Sequence, residues 1–392
     1  MPRGLIFRPS GTGPHSAPER LANATNGVGT EAPRTRLWRN QLRTERHPVV
    51  QRDLEWIAAQ SSVDWKLLRN KTVLITGASG FVPAYMVETL LYLNETTQAG
   101  LRVVGLVRNG NRARKRFAHL EFRRDFEVVV QDVKDPYSGP DGIDYVVHAA
   151  SQASPKYYSI DPAGTLEGNL VGTLRMLEVA KINESEGFLL FSSGEVYGKL
   201  QDPTAPIAES GFGPLDPMNV RSCYAEGKRA GEALCASWHQ QYGIPAKVVR
   251  LSHTYGPGMR LDDGRVFADF VADVVAGRNI VMKSDGSALR PFCYLADATI
   301  AFFLVLLQGK TGEAYNVGSD REISILELAE TICDLFPNRG CRVERRERIP
   351  GDPYLPSKQS AGHFDLSKIR SLGWEPTIDI REGFRRTIES YI

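Results

Sequence analysis

The feature that most constrains this chain is an alternation of two kinds of segment. Short runs rich in β-branched residues fall at Thr72–Thr76, Arg102–Val107, Phe126–Val130, Ile143–His148, Phe188–Ser192 and Ala246–Leu251. Stretches with helical periodicity separate most of them, at Val82–Leu93, Gly164–Ile182 and Ser222–Gln241. Strand–helix–strand units close by right-handed crossovers, so the pattern predicts a parallel sheet covered by helices on both faces, an α/β doubly wound fold of Rossmann type over residues 70–251. After Leu251 the rhythm gives way to loops rich in Gly, Pro and Asp, with helices expected at Val266–Ala276, Ile325–Phe336 and Ile380–Tyr391. Residues 252–392 therefore read as mainly a smaller substrate-binding region, with some segments returning to the first domain.

Upstream, residues 1–46 are rich in Gly, Pro, Arg, Ser and Thr and are expected to be a disordered extension. Its Arg34, Arg36, Arg39 and Arg43 read as a solvated tail. Residues 47–69 carry Leu54, Ile57, Ala58, Trp65 and Leu68 at helix-like spacing and are expected to be a helical lead-in packed on the domain. Lys and Arg number 48 against 46 Asp and Glu, which leaves no broad basic surface for nucleic acid and favours a small ligand. The five cysteines form no CxxC pair, so neither a metal site nor a disulfide framework is expected, and reduced cytoplasmic thiols fit. Apolar runs such as Ala301 to Leu307 are too short to span a bilayer, and no apolar export signal is built near Met1. A cytoplasmic setting without membrane or metal is the expectation.

The first strand runs into Thr76-Gly77-Ala78-Ser79-Gly80-Phe81-Val82. Glycines there permit a tight turn and let backbone N–H groups approach a pyrophosphate at a helix N-terminus, so Gly77, Ser79, Gly80, Phe81 and Val82 are candidate cofactor contacts. Pro83 takes the place of a customary third glycine, which the first helical turn tolerates. The end of the second strand usually supplies an acid for the adenosine ribose; here it carries Arg108. That arginine can stack on adenine or pair with a 2′-phosphate, so NADP stands beside NAD as the cofactor. Arg114 and Arg116 read as surface charges. Asp132, followed by Val133, is placed either to meet the adenine amine or to form a turn.

Tyr224 and Lys228 lie four apart, on one helix face. A phenol of ordinary pKa about 10 is a poor base near neutrality, but an ammonium beside it favours the phenolate. Ser193, in Ser192-Ser193-Gly194-Glu195-Val196-Tyr197-Gly198, follows the fifth strand, where hydroxyls face the ligand crevice.

Gly77, Gly80, His148-Ala149-Ala150-Ser151, Asn169, Ser193, Tyr224 and Lys228 together resemble, in order, the extended short-chain dehydrogenases. Three longer segments are similar to those of UDP-glucuronic acid decarboxylases: Ala150-Ser151-Gln152-Ala153-Ser154-Pro155, Arg221-Ser222-Cys223-Tyr224-Ala225-Glu226-Gly227-Lys228-Arg229 and Asp262-Asp263-Gly264-Arg265-Val266. Leu372-Gly373-Trp374-Glu375-Pro376 is shared more widely among nucleotide-sugar enzymes, and the likeness covers about residues 70 to 392.

The resemblance implies a cycle. Tyr224 takes the proton of the sugar 4-hydroxyl while C4 is oxidised by the nicotinamide. The new ketone lies β to the carboxylate on C5, so CO2 leaves, and protonation at C5 gives a UDP-4-keto-pentose or, after reduction, UDP-xylose. Ser193 holds the 4-oxygen, Lys228 holds the ribose and tunes Tyr224, and Glu195 assists the middle steps. Ala149, Ala150 and Ser151 join the cofactor contacts. Tyr158, Asn169 and Arg221 are expected at the sugar, and His253, Arg265 and Arg290 at the sugar, diphosphate or uridine, where a guanidinium grips two oxygens. A homodimer through Gly164–Ile182 and Ser222–Gln241 is implied as well.

Three positions depart from the pattern. Gly194 stands where the decarboxylases carry a serine and 4,6-dehydratases an aspartate acid, which argues against dehydration. His253 replaces an asparagine. Gly362 falls where an arginine implicated in catalysis is usual, with His363 and Lys358 nearby, and its loss suggests partial release of the 4-keto-pentose. The rival readings are another nucleotide-sugar 4-epimerase or 4-keto-forming enzyme, and a non-catalytic dinucleotide-binding protein.

Overall fold

The structure, a computed structural model, describes residues 7–9, 45–200, 202, 204–346 and 363–392. In chain order its first half runs β1 (Phe7–Pro9), α1 (Pro48–Ala58), β2 (Thr72–Thr76), α2 (Phe81–Thr97), β3 (Arg102–Val107), α3 (Gly110–Arg116), β4 (Phe126–Val130), β5 (Tyr145–His148), α4 (Pro155–Ile160), α5 (Pro162–Ile182), β6 (Gly187–Ser193), α6 (Cys223–Tyr242) and β7 (Ala246–Leu251). The second half adds β8 (His253–Tyr255), α7 (Val266–Val275), β9 (Ile280–Met282), β10 (Leu289–Tyr294), α8 (Leu295–Gln308), β11 (Ala314–Val317), β12 (Glu322–Ser324), α9 (Ile325–Leu335), β13 (Val343–Arg345), α10 (Ser367–Arg370) and α11 (Ile380–Glu389).

Eight strands form one parallel sheet in the order β1-β4-β3-β2-β5-β6-β7-β11. Connections from β2 run one way through β3 to β4, and from β5 the other way through β6 to β7. The order therefore reverses between β2 and β5, and a crevice opens there at the strands' carboxyl ends. The central strands are apolar on both faces, as burial between two helical layers demands: Val73, Leu74 and Ile75 of β2 are all fully buried. One face packs under α5 and α6, with Met176, Leu177, Ala180 and Cys235 on the sheet. The other lies under α2 and α8 and merges with the core of the C-terminal region. That region is built on a β12-β10-β8 sheet and a β13-β9 pair.

The six expected strands are present, four of them with the expected bounds. The fourth of the six begins at Tyr145 instead of Ile143, because the preceding backbone is claimed by a side chain: Asn183 Oδ1 accepts the N–H groups of Gly142 and Ile143. Within the segment expected to lack structure, Phe7–Pro9 pairs in parallel with Val128–Val130 at the sheet edge; Arg34, Arg36, Arg39, Arg43, Lys358 and Gly362 lie outside the described residues. Cys333 and Cys341 form a disulfide between the end of α9 and the approach to β13, where reduced thiols were expected. Among the described residues, no helix is long and apolar enough to cross a membrane, and no group of three or more His, Cys, Asp or Glu is arranged for a metal.

The lead-in is helical over Pro48–Ala58 and ends in a 3₁₀ turn at Trp65–Leu68. Its Asp53 is fully buried and is satisfied three ways, accepting from Tyr85 Oη at 3.1 Å, Tyr294 Oη at 2.6 Å and Arg386 Nη1 at 2.9 Å. Burial still raises this carboxyl above its ordinary range. The network joins α1, α2, β10 and α11. Arg116, read from the sequence as a surface charge, instead donates to Gly258 O at 3.0 Å and Phe81 O at 3.5 Å, bracing the C-terminal region against the start of α2.

Candidate active site

The crevice begins with the glycine loop. Gly77 adopts φ +64°, and a Cβ there would lie 2.9 Å from Ala150 Cα, so only glycine permits this approach of the β2 and β5 loops. Thr76 Oγ1 accepts the N–H groups of Ala149 (3.1 Å) and Ala150 (3.0 Å), which directs its own proton to His148 Nδ1 at 2.9 Å. Burial holds His148 neutral, pushed down to about 3. Gly80 caps α2 with no side chain over its first turn, where Phe81 and Val82 follow, leaving the N–H groups of a 17-residue helix open toward the crevice. Ser151 Oγ is buried there without a hydrogen-bond partner. An open helix terminus, a close-approaching glycine and an orphaned hydroxyl fit a dinucleotide diphosphate. Ser79 is buried at the turn, and Val133 lies on the β4 side. Asp132 Oδ1 accepts from Lys134 N at 3.0 Å, the turn geometry weighed for it.

Ser193, Tyr224 and Lys228 converge where β6 meets the N-terminal half of α6. Tyr224 and Lys228 are both buried, one helical turn apart, with the ammonium 5.7 Å from the phenol ring centre. Ser193 hydrogen-bonds the phenol, which favours its ionised form. Burial nonetheless dominates and pushes Tyr224 up to about 12, with Glu195 adding to the rise and Arg265 and Arg221 opposing it. This departs from the expectation that the lysine lowers the phenol. Lys228 Nζ instead donates to Phe191 O at 2.6 Å, and desolvation pushes it down to about 7, with Glu232 pulling the other way. In the protein alone, the proton sits on the phenol and is loosely held on the lysine. Glu232 is itself fixed by the Ser192 hydroxyl and by Arg250, whose Nη2 lies at 2.7 Å.

Around this centre the charges close on one another. Arg221 grips Glu195 through Nη2–Oε1 at 2.9 Å and Nη1–Oε2 at 3.2 Å. The same guanidinium lies 4.6 Å over the ring of Tyr158, which stacks on Tyr224 with centroids 5.0 Å apart and planes 19° off parallel. Tyr158 spends its hydroxyl on Ala153 O at 3.0 Å, so it presents its ring to the site. Arg265 pairs with Asp263 and lies 5.0 Å over Phe267. Ser154 Oγ, donating to Asp263 O at 2.7 Å, ties that loop to the one after β5. His253 sits beside Phe267 and Phe292, and burial with Arg290 and Arg265 nearby pushes it down to about 3, so it is a neutral group. Arg290 donates Nη1 to Leu289 O at 2.7 Å. Asn169, expected at the sugar, is placed between α5 and α6 beside Gly227, its Nδ2 on Thr165 O and its buried Oδ1 without a partner.

Two features were not legible beforehand. One is the Glu195–Arg221 clasp, which joins residues 26 apart in sequence. The other is Phe364: a Cβ at Gly194 would lie 2.8 Å from its ring, so the phenyl group fills the space an acid would need. The run Gly362-His363-Phe364 offered no periodicity to announce this.

A glycine-loop crevice at a strand-order switch, with serine, tyrosine and lysine at its lip, is that of a dinucleotide-dependent oxidoreductase of the short-chain class. The chain belongs to the NAD dependent epimerase/dehydratase family, whose model matches residues 73–318. UDP-glucuronic acid decarboxylase 3 of Arabidopsis thaliana is 36% identical over 318 residues, covering 80% of this chain and 87% of the relative. UDP-glucuronic acid decarboxylase 1 of Danio rerio is 32% identical over 346 residues, covering 87% and 78%. Among solved structures, a dTDP-glucose 4,6-dehydratase from Streptomyces venezuelae superposes with TM-score 0.68 at 25% identity, over 82% of this chain and 96% of that one.

Proposed function

We propose that this chain decarboxylates UDP-glucuronic acid, giving UDP-4-keto-pentose, UDP-xylose or both. The observation that carries the reading is the Arg221–Glu195 clasp beside the Ser193–Tyr224–Lys228 set. It holds, within one site, a guanidinium fitted to a sugar carboxylate, a carboxylate that such a substrate would release, and a phenol for the 4-hydroxyl. The similarity to several UDP-glucuronic acid decarboxylases across most of the chain supports it.

Nicotinamide, when bound, would supply the oxidant at C4 and later the reductant. The residues do the rest. Ser193 orients the 4-oxygen and Tyr224 Oη takes its proton. Arg221 turns from Glu195 to the C6 carboxylate and holds it for cleavage of the C5–C6 bond, whose electron pair passes into the C4 enolate as CO2 leaves. Glu195, freed, stands to manage the proton returned at C5. Stacked Tyr158 and Tyr224 exclude water from one side. Arg265, Arg290 and neutral His253 are assigned to the diphosphate and uridine side, Asn169 to support of α6 at Lys228, and Asp132, Val133, Ala149 and Ala150 to the adenosine half. Gly194 under Phe364 leaves no acid for dehydration at C6.

Mass spectrometry of products from UDP-glucuronic acid tests this: release of CO2 with a UDP-pentose is expected, while a 4-epimer retaining its carboxylate would overturn the reading. A homodimer through α5 and α6 belongs to the same proposal. Leu166 and Leu170 of α5 are each 38% exposed, and light scattering at the mass of two chains is expected. A cytoplasmic setting is also part of it, checked by fractionation, although the Cys333–Cys341 pairing removes two of the five thiols that argued for it.

A further inference from the structure

The adenosine end of the crevice departs from the pattern of an NAD site. β3 lies beside β2 with Thr76 paired to Leu106, and Ala78 N donates to Leu106 O at 3.3 Å, so the end of β3 abuts the glycine loop. The side chain just past that end is the one placed to meet the adenosine ribose. Here it is Arg108, and from Leu101 to Leu120 the sequence has no Asp or Glu at all. A guanidinium has five donors and no acceptor, so it cannot accept from ribose hydroxyls as a carboxylate does.

The neighbours do not make good the loss. Asn109, which could accept, is spent capping α3 through Oδ1 on Arg112 N at 2.9 Å. Asp161 across the crevice is held by Gln152 Nε2 at 2.9 Å and Gly164 N at 3.1 Å, and its charge reaches Arg108 without forming an ion pair. Meanwhile Arg108 and Arg112 are exposed, and neither makes a side-chain hydrogen bond or ion pair among the described residues. The arginines around them are committed: Arg102 to Glu127, Arg116 to backbone carbonyls, Arg123 to Asp125 and Arg260 to Asp262. Desolvation and the positive charge of Arg260 lower the pKa of Arg112, with Asp262 opposing them. Two cations four residues apart in sequence, neither in an ion pair among the described residues, at the place where a ribose 2′-oxygen belongs, are suited to a phosphate group.

We propose that Arg108, seconded by Arg112, makes this subsite accept a 2′-phosphate, so that NADP+ binds about as tightly as NAD+ or more tightly. The proposal rests on the dinucleotide site and not on the identity of the sugar substrate. The test has two arms on the purified full-length chain. In the first, the dinucleotide bound on purification is released and identified, and calorimetry gives Kd for NAD+ and for NADP+. A Kd for NADP+ no more than about threefold above that for NAD+ supports the proposal, and a larger ratio overturns it. In the second, Arg108→Asp is expected to move the ratio at least about tenfold toward NAD+ with a melting temperature not below the parent's, and the ratio for NADP+ in the parent is expected to worsen as salt rises. A ratio that does not move in Arg108→Asp overturns the proposal even if both dinucleotides bind. Product analysis with UDP-glucuronic acid is read separately, so failure of the decarboxylase reading leaves this result standing, and the reverse.

Discussion

The two ends of the crevice treat charge in opposite ways. At the reactive end Arg221, Arg250 and Arg265 are each clasped by a carboxylate, from Glu195, Glu232 and Asp263. At the adenosine end Arg108 and Arg112 make no ion pair among the described residues, and the acids whose charge reaches them, Asp161 and Asp262, are held by other groups. A clasped arginine is preorganised but must exchange partners before it can hold a substrate; an unclasped one is ready for its ligand and costs stability until the ligand arrives. On the proposed reading, chemistry at one end is gated by ion-pair exchange, while binding at the other is governed by unpaired positive charge.

The hardest blow to this comparison comes from the phenol. Tyr224→Phe is expected to lower kcat for the UDP-sugar by about 10³-fold while leaving dinucleotide affinity within a small factor, since the loss is of a proton carrier and not of a binding group. Steady-state turnover and calorimetry check it; undiminished activity would mean that the reactive end is not where the reaction occurs. Next comes the clasp. Glu195→Gln is expected to lower kcat by about 10²-fold, yet to lower KM for a carboxylate-bearing sugar, because Arg221 no longer has to leave a charged partner. Equal falls in kcat and kcat/KM, with KM unmoved, would show that Arg221 never exchanges.

How much of this was legible in the sequence differs by region for physical reasons. β2, β3 and β4 and their crossovers could be read because buried parallel strands are continuous apolar runs bounded by glycine and polar turns. Tyr224 and Lys228 could be paired because one helical turn fixes their side of α6. Helix α8 was not read: Leu295 to Leu306 is buried all round, so it carries no amphipathic period, and its Asp297 serves Thr377 and Ile378 from inside the core. The three-residue strands β8, β9, β12 and β13 are too short for any alternation to register. The lead-in was read as a helix, but Asp53 gave no sign that it would bind Tyr85, Tyr294 and Arg386, since those partners are assembled only by the fold. The same holds for Phe364 over Gly194. Contacts between side chains far apart in sequence leave no mark on local pattern.

A pH experiment sharpens the comparison on the side of Lys228. Its folded pKa of about 7 lies below the ordinary lysine value, so between those two values the unfolded chain binds the extra proton and the folded one does not. Stability from this group therefore rises with pH across that window, and its penalty is complete below about pH 7. Lys228→Met, which removes the penalty, is expected to melt several degrees above the parent near pH 6, with the gap closing toward about pH 10. A gap independent of pH would show that Lys228 is already neutralised by Glu232 in the folded state.

The smallest expected effect lies at the other end. Arg112 and Arg260 repel, and Asp262, which acts on Arg112 with the opposite sign by the smaller amount, is ion-paired to Arg260. Arg112→Ala is therefore expected to raise the melting temperature slightly at low salt without dinucleotide, and the gain should vanish near 0.5 M salt, where the screening length falls to roughly 4 Å. With NADP+ bound the sign should reverse, because the same guanidinium then holds a phosphate. A variant that melts below the parent in both states would make Arg112 an ordinary structural residue and leave the contrast between the two ends resting on Arg108 alone.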